Sequence, residues 1–528
     1  MKFSKLTMAI AVALTASVSS SAFAINLYVD TKTKQIYAEP GRGRVLMGEF
    51  EKVGDRPQQA QPDASELAAV HQDLEMKTNE IKALQEHAEE AAKAPGIEVT
   101  DNGFEMKSKD GQFKMAVNGR IQVDSQVNVN QQTAIATGAN TQNLLADGVG
   151  LRRARLGVEG TFFKDWDYKF EYDFTRGNGT TGAGVTDSYI RWNLNKAFSV
   201  KVGAFKEPFS LEEATSNRYL TFIQRNMIVD TFVDNLNTYK MGIGANYAAE
   251  RWQTAVSLQT EPVGANGASN SSINSNGGSN RNGGSGDTNW EANARVSGMP
   301  WMESKTKFWH IGASGSYINV NNNYLANGTF SNGSISFVAN PNTNVDRTNV
   351  IDTGTLTSGV QGAANSRVAN HLTRFGAETA LVYGPFSTQA EYIQTNVSGT
   401  GYHNATLDGF YGYATYFLTG ESRNYRSSTG AWNRLKPNHN FDMKGGWGAW
   451  EVAGGYDHIN LNSDTINGGR ASTAKFGLNW YPNSHVRVMA NYVHVLNIDS
   501  QNVLTNARTR SFNNADLDII ETRIQLDW

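Results

Sequence analysis

Between residues 112 and 129 apolar and polar side chains alternate one for one. Phe113, Met115, Val117, Ile121 and Val123 fall on one face, and Lys114, Asn118, Arg120, Gln122 and Asp124 on the other. A period of two is that of a β-strand with two chemically different sides. Residues 149–163 repeat it, with Ala154, Leu156, Val158 and Phe162 opposed to Arg153, Arg155 and Glu159. Beyond a tight turn at 164–166, Tyr168, Phe170, Tyr172 and Phe174 oppose Lys169, Glu171 and Asp173. In 185–194, Asp187, Tyr189 and Arg191 share the polar face. Counting such segments to the last residue predicts about 16 strands, an even number that closes a sheet and removes its edges. The apolar faces are rich in aromatics, as a wall facing lipid requires. A water-soluble array of β-sandwiches would account for the strands but not for those faces.

The connections alternate in length. Short turns are expected at 164–166, 195–197, 249–250, 300–304, 384–385 and 482–484, and long Asn-, Ser- and Gly-rich loops at 263–287 and 320–370. Short periplasmic turns and long external loops are the asymmetry of a bacterial barrel. One long connection, residues 206–237, breaks both patterns. Leu211, Tyr219, Leu220, Phe222, Ile223, Met227, Ile228, Phe232 and Val233 make it too apolar for a solvated loop, and charges of both signs run through it. Such a segment packs inside the barrel and narrows it. A pair of amphipathic helices in an ordinary domain is the alternative for this stretch taken alone.

Ahead of the barrel the pattern changes twice. Residues 1–24 carry Lys2 and Lys5, an apolar run and an Ala22-Phe23-Ala24 ending, which is expected to be an export signal. Residues 25–62 form a leader with one expected hairpin near 27–37. In 63–94, Leu67, Leu74, Ile81 and Ala88 recur every seven residues, with Val70, Leu84 and Ala91 in a second seam that Lys77 interrupts. Heptads over about 45 Å of helix predict a periplasmic coiled coil, or else one amphipathic helix lying on the barrel. The fold expected is thus all-β, a 16-stranded antiparallel transmembrane barrel over residues 105–528, with an inward-folded constriction loop and a short N-terminal coiled-coil helix.

Composition removes other classes. There is no Cys, so neither disulfides nor thiol chemistry enter. The nine His are scattered without metal-ligand spacing, and neither a Gly-x-Ser-x-Gly elbow nor a phosphate-cradling Gly loop occurs. No catalytic residue, metal or cofactor is therefore expected. Residues 101–528 hold 36 basic and 36 acidic side chains. Ion preference must come from where charges sit, and nucleic acid has no basic patch to bind.

Several stretches carry a resemblance: Asn118-Gly119-Arg120-Ile121-Gln122, residues 151–174, residues 203–226, Leu418-Thr419-Gly420-Glu421-Ser422-Arg423, and Asn479-Trp480-Tyr481. They resemble the phosphate-selective porin O and P family from about residue 105 onward. The resemblance implies an outer-membrane homotrimer, each barrel a passive channel for small hydrophilic solutes, narrowed by its third loop and leaning towards anions such as phosphate. It also implies an anion and constriction site at Arg120, Arg152, Arg153, Asp187, Glu213, Arg218 and Arg225. Guanidinium forks suit phosphate because they hold two oxygens at once. Two positions depart from the family: Glu213 and Asp167 stand where lysines are expected, and carboxylates in a pore oppose anion entry. A general or sugar-permeable porin, its coiled coil a periplasmic tether, is the alternative. Within the site, one of Arg152 and Arg153 is free to point to the headgroups. Arg218 and Arg225 have Glu212, Glu213 and Asp230 as alternative partners that would pin the loop instead.

Overall fold

The computed structural model describes residues 25–50, 64–93, 96–100, 103–132, 145–175, 184–234, 239–262, 289–324, 327–332, 335–403, 405–463, 465–500, 503 and 507–528. The expected export signal lies outside the described residues, as do 51–63, the whole of the loop expected at 263–287 and the end of the constriction loop at 235–238. Two units separate at residues 92 and 93.

In the N-terminal unit, Ile25–Asp30 pairs with Ile36–Tyr37, the expected hairpin, and also with Arg44–Phe50, a third strand not legible in the pattern. Helix α1, Ala64–Lys93, is continuous over the heptads. Leu74, Ile81 and Leu84 on its seam are exposed.

The second unit is a closed antiparallel barrel of 16 strands. The first eight are β1 Lys114–Gln132, β2 Gly148–Phe162, β3 Trp166–Asp173, β4 Val185–Asn193, β5 Phe198–Lys206, β6 Tyr239–Ala248, β7 Trp252–Pro262 and β8 Trp290–Ser304. The second eight are β9 Lys307–Asn319, β10 Val368–Tyr383, β11 Phe386–Thr400, β12 Ala405–Phe417, β13 Ala449–Ser463, β14 Ile466–Tyr481, β15 Val486–Asp499 and β16 Asp516–Asp527. Closure pairs β16 with β1, from Asp516↔Gln132 to Asp527↔Arg120. The seam is tight at its lower end, where Trp528 and Gly119 exchange two backbone hydrogen bonds of 3.1 Å and a Cβ on Gly119 would meet the Trp528 ring at 2.4 Å. Below it, a hairpin of Gly96–Thr100 and Gly103–Lys107 pairs with the first residues of β1.

The alternation has the expected sense. Ile520, Ile524 and Leu526 of β16 are exposed on the outside, whereas Glu521, Arg523 and Gln525 are buried within. Paired outer aromatics such as Trp166–Trp192 and Trp450–Trp480, each 5.6 Å apart, mark the rim that carries the short turns.

The length rule fails at three connections. The β12–β13 connection, 418–448, stands at the end of the short turns and is long, while 401–404 and 464–465 at the opposite end are short. The long one has a use: 16 strands enclose more space than wall side chains fill, and this connection turns inward. Its two-stranded ribbon, Tyr425–Arg426 against Ala431–Trp432, puts Trp432 in a buried cluster with Leu211 and Phe308.

Candidate functional site

A loop inside a barrel has lost water as a partner for its backbone, so the wall must replace it. It does so carbonyl by carbonyl. Gln122 donates to Asn217 O at 3.4 Å, Gln525 to Arg218 O at 3.2 Å and Arg487 to Leu220 O at 2.6 Å. Asn479 donates to Thr221 O at 3.0 Å and Arg523 to Ile223 O at 2.9 Å. Two short helices form where acids on the wall accept orphan N–H groups at their starts. Helix α2, Leu211–Ala214, gives the N–H groups of Leu211 and Glu212 to Glu391 at 3.0 and 2.8 Å. Helix α3, Met227–Phe232, gives that of Met227 to Asp457 at 2.6 Å.

The constriction loop is not alone. Residues 335–357 of the β9–β10 connection also fold inward, burying Phe337, Val350 and Ile351 in one cluster with Ile228 and Phe232 of α3. Asn342 donates to Arg225 O at 3.3 Å, and Arg347 pairs with Asp230 at 2.7 Å. With the 418–448 connection these make three inward segments, and among the described residues an upper and a lower chamber lie along the lumen.

The upper chamber, about 220 Å³, is lined by six cations (Arg152, Arg153, Arg155, Lys206, Arg225, Arg347) and three acids (Asp173, Asp230, Asp234). The lower chamber, about 480 Å³, has seven cations (Arg120, Lys169, Lys206, Arg218, Arg426, Arg434, Lys436) against Glu159 and Asp187. Lys206, Asn217 and Tyr239 line both, which makes them the throat. The barrel domain balances in charge, yet both chambers carry an excess of cations.

Partners decide which cations remain available. Arg155 is spent: it binds Glu171 and Asp173, both at 2.7 Å, and Tyr239 Oη at 3.0 Å. Arg225 pairs with Glu213 at 2.8 Å and Asp234 at 3.3 Å. Burial lowers its guanidinium, but those two acids more than offset this and raise it. Among the described residues no carboxylate stands at ion-pair distance from Arg152 or Arg153; their bonds go to Asn344 Oδ1 at 2.5 Å and Gln122 Oε1 at 3.0 Å. Arg153 Nε, Arg225 Nη1 and Arg347 Nη1 are buried and meet no acceptor among the described residues.

The residues proposed from sequence fall in three places. Arg152, Arg153 and Arg225 line the upper chamber; Arg120, Asp187 and Arg218 line the lower. Glu213 lines neither. It is fully buried, held by Lys206 and Arg225 at 2.8 Å each, and burial pushes its carboxyl up from the ordinary value while those cations oppose the shift. Asp167 lines neither chamber, being tied to Arg191 and, at 2.8 Å, to Asn193. Arg218 approaches Asp527 at 3.6 Å and Glu171 at 3.8 Å. Asp187 pairs with Lys169 at 3.1 Å, and Arg120 with Glu171 at 2.7 Å.

Strict alternation would have sent one of Arg152 and Arg153 to the headgroups. The structure turns both inward, and a bulge is the reason. Gln122 pairs with Arg153 and Val123 with Leu151, so Arg152 is an extra residue on β2. Bulges re-aim a side chain in this way. Arg347 was not placed in the site from sequence, because its connection was expected to be a long external loop; Arg426, Arg434 and Lys436 lie in a connection for which the sequence pattern carried no reading. Lys206 and Arg155 had a signal: each closes or continues a polar strand face.

A closed 16-stranded barrel with a lipid-facing aromatic rim and a loop-narrowed, charged lumen defines an outer-membrane porin, a channel through the outer membrane. Over residues 115–528 the sequence matches phosphate-selective porin O and P, and the chain belongs to that family. It is 27% identical to Porin O of Pseudomonas aeruginosa over 409 residues, 75% of this chain and 85% of that protein. An uncharacterized protein of Caulobacter vibrioides is 26% identical over 449 residues, 84% of this chain and 80% of its own. Among solved structures, OprB of Pseudomonas putida aligns with a TM-score of 0.46 at 11% identity, over 79% of this chain and 95% of that one.

Proposed function

We propose that the channel passes small anions and holds phosphate transiently in the upper chamber. One observation carries this reading: among the described residues, Arg152 and Arg153 line a narrow chamber with no carboxylate at ion-pair distance from either, while Arg153, Arg225 and Arg347 each keep a buried N–H unspent. A tetrahedral oxyanion supplies several acceptor oxygens to such donors, and the constricted site strengthens the attraction. The partly paired Arg225 and Arg347 would keep binding weak enough for release. Glu213 and Asp167 line neither chamber and are held by cations, so they mute the attraction for anions without reversing it.

In a planar bilayer with a potassium chloride gradient, the zero-current potential is expected to take the anionic sign. Phosphate should block the chloride current, with the block lost in the double variant Arg152→Ala/Arg153→Ala. Removing two charge-assisted contacts of roughly 1.5–3 kcal/mol each predicts at least a tenfold weaker block. Cation preference, or block unchanged in the double variant, would sink the reading.

The homotrimer and the coiled coil belong to the same proposal. The seam of α1 leaves Leu74, Ile81 and Leu84 exposed on one chain at heptad spacing, which suits equivalent helices of neighbouring copies. Deleting 64–93 is expected to leave single-channel conductance unchanged, because the charged chambers are built wholly by the barrel. A conductance shift in that variant would place the helix in the permeation path.

A further inference from the structure

The inward 418–448 connection returns to the rim by an unusual route. Arg434 still reaches into the lumen, where it meets Asp527 at 2.7 Å. Residues 441–447, however, lie on the outside of the barrel. Phe441 donates its N–H to Pro482 O in the β14–β15 turn at 2.7 Å, and its ring meets the outward ring of Trp480 edge-on at 5.3 Å. Trp480 stacks on Trp450, and both indole N–H groups donate to Trp447 O, at 3.0 and 3.2 Å.

Between these anchors the chain makes a tight knob. Asp442 accepts the N–H groups of Lys444 and Gly446 at 2.7 and 2.9 Å, and Met443 takes φ 58°, the left-handed region that costs a side-chain-bearing residue energy. The outcome presents apolar side chains without cover: Met443 is 87% exposed and Trp447 72%, with Phe441 and Leu418 exposed beside them. Water is a poor environment for such a cluster.

We infer that residues 441–447 form a membrane-dipping knob that inserts Met443 and Trp447 into the periplasmic leaflet. The occupant is lipid because the patch continues the Trp450–Trp480 aromatic rim, which a barrel places at its membrane interface. Lys444 at the tip carries a cation on a flexible stem that reaches back to phosphate headgroups. Fixed at the inner rim on β13 and β14, the knob sets how deeply that side of the barrel sits.

The chain has no Cys, so a single site can be labelled cleanly. Met443→Cys carrying a nitroxide, in the full chain reconstituted into phospholipid vesicles, is compared with Ser428→Cys on the inward ribbon. Collision with oxygen, concentrated in lipid, should exceed collision with a water-soluble nickel chelate at 443 and fall below it at 428. Trp447→Cys should give the same sign as 443, and heat-modifiable gel mobility checks that each variant is folded. Nickel excess at 443 and 447 would overturn the inference by placing the knob in water. Shielding from both reagents would overturn it too, since a second protein surface would then cover the patch.

Discussion

Replacing Glu213 by Gln should make the channel more anion-selective and tighten its phosphate block. Among the described residues, Glu213 is the one acid that clasps both Lys206 of the throat and Arg225 of the upper chamber, each at 2.8 Å. Gln keeps the volume and removes the charge, so both cations turn more of their field on the path, with Asp234 still paired to Arg225. A unit charge about 8 Å away at an effective dielectric of about 20 is worth roughly 2 kcal/mol. Water in the chamber screens part of that, leaving an expected gain of about tenfold in phosphate affinity. The pH dependence has the same sign. Burial raises the Glu213 carboxyl above its ordinary value, so acidification neutralises it sooner than a solvated acid and moves the wild type towards the variant. Zero-current potential and phosphate titration of the current, taken from neutral to mildly acidic pH, should converge for the two proteins. If Glu213→Gln lowers anion preference, or the two responses diverge as the pH falls, Glu213 acts by holding the loop rather than by muting its cations.

What the sequence disclosed divides along one physical line. A strand wall between lipid and lumen writes its two environments into every second residue, so the barrel and its inward faces at Arg120, Arg153 and Asp187 were legible. The constriction loop was legible for the opposite reason, being too apolar for water at Phe222, Ile228 and Phe232. Segments whose partners are remote in sequence were not. Phe337 is buried against Phe232 of α3, Ile351 against β14 near Gly469, and Trp432 among Phe308, Leu211 and their neighbours. Within short windows those residues look like scattered apolar positions in polar loops. The inward turn of Arg152 depends on a one-residue register shift that no local pattern encodes. The departure at Glu213 looked like reversed charge in the pore, because the sequence names the acid without naming the two cations that hold it.

The largest effect on stability is expected at Arg374 of β10, whose side chain is fully buried. It spans both ends of the constriction loop: two bonds of 2.9 and 2.7 Å go to Glu207 and one of 2.8 Å to Phe232 O. Ser316 Oγ accepts from it at 2.8 Å, and its guanidinium lies 4.8 Å from the centre of the Phe209 ring. Arg374→Met fills similar space but strands Glu207, leaving it and Glu291 to share Lys240, at 3.2 and 2.5 Å. Breaking a buried pair from one side costs roughly 3–5 kcal/mol, mostly because the remaining charge is uncompensated. The variant should therefore lose its compact gel mobility at lower temperature, show noisier and larger single-channel currents, and admit trypsin at Arg218 or Arg225. Adding Glu207→Gln removes the stranded charge, so the double variant should stand closer to wild type than Arg374→Met does. Equal or greater damage in the double variant would instead assign the loop's hold to packing on Phe209 and the bond to Phe232. The order of the two variants thus separates charge pairing from shape as the force that keeps the loop inside the barrel.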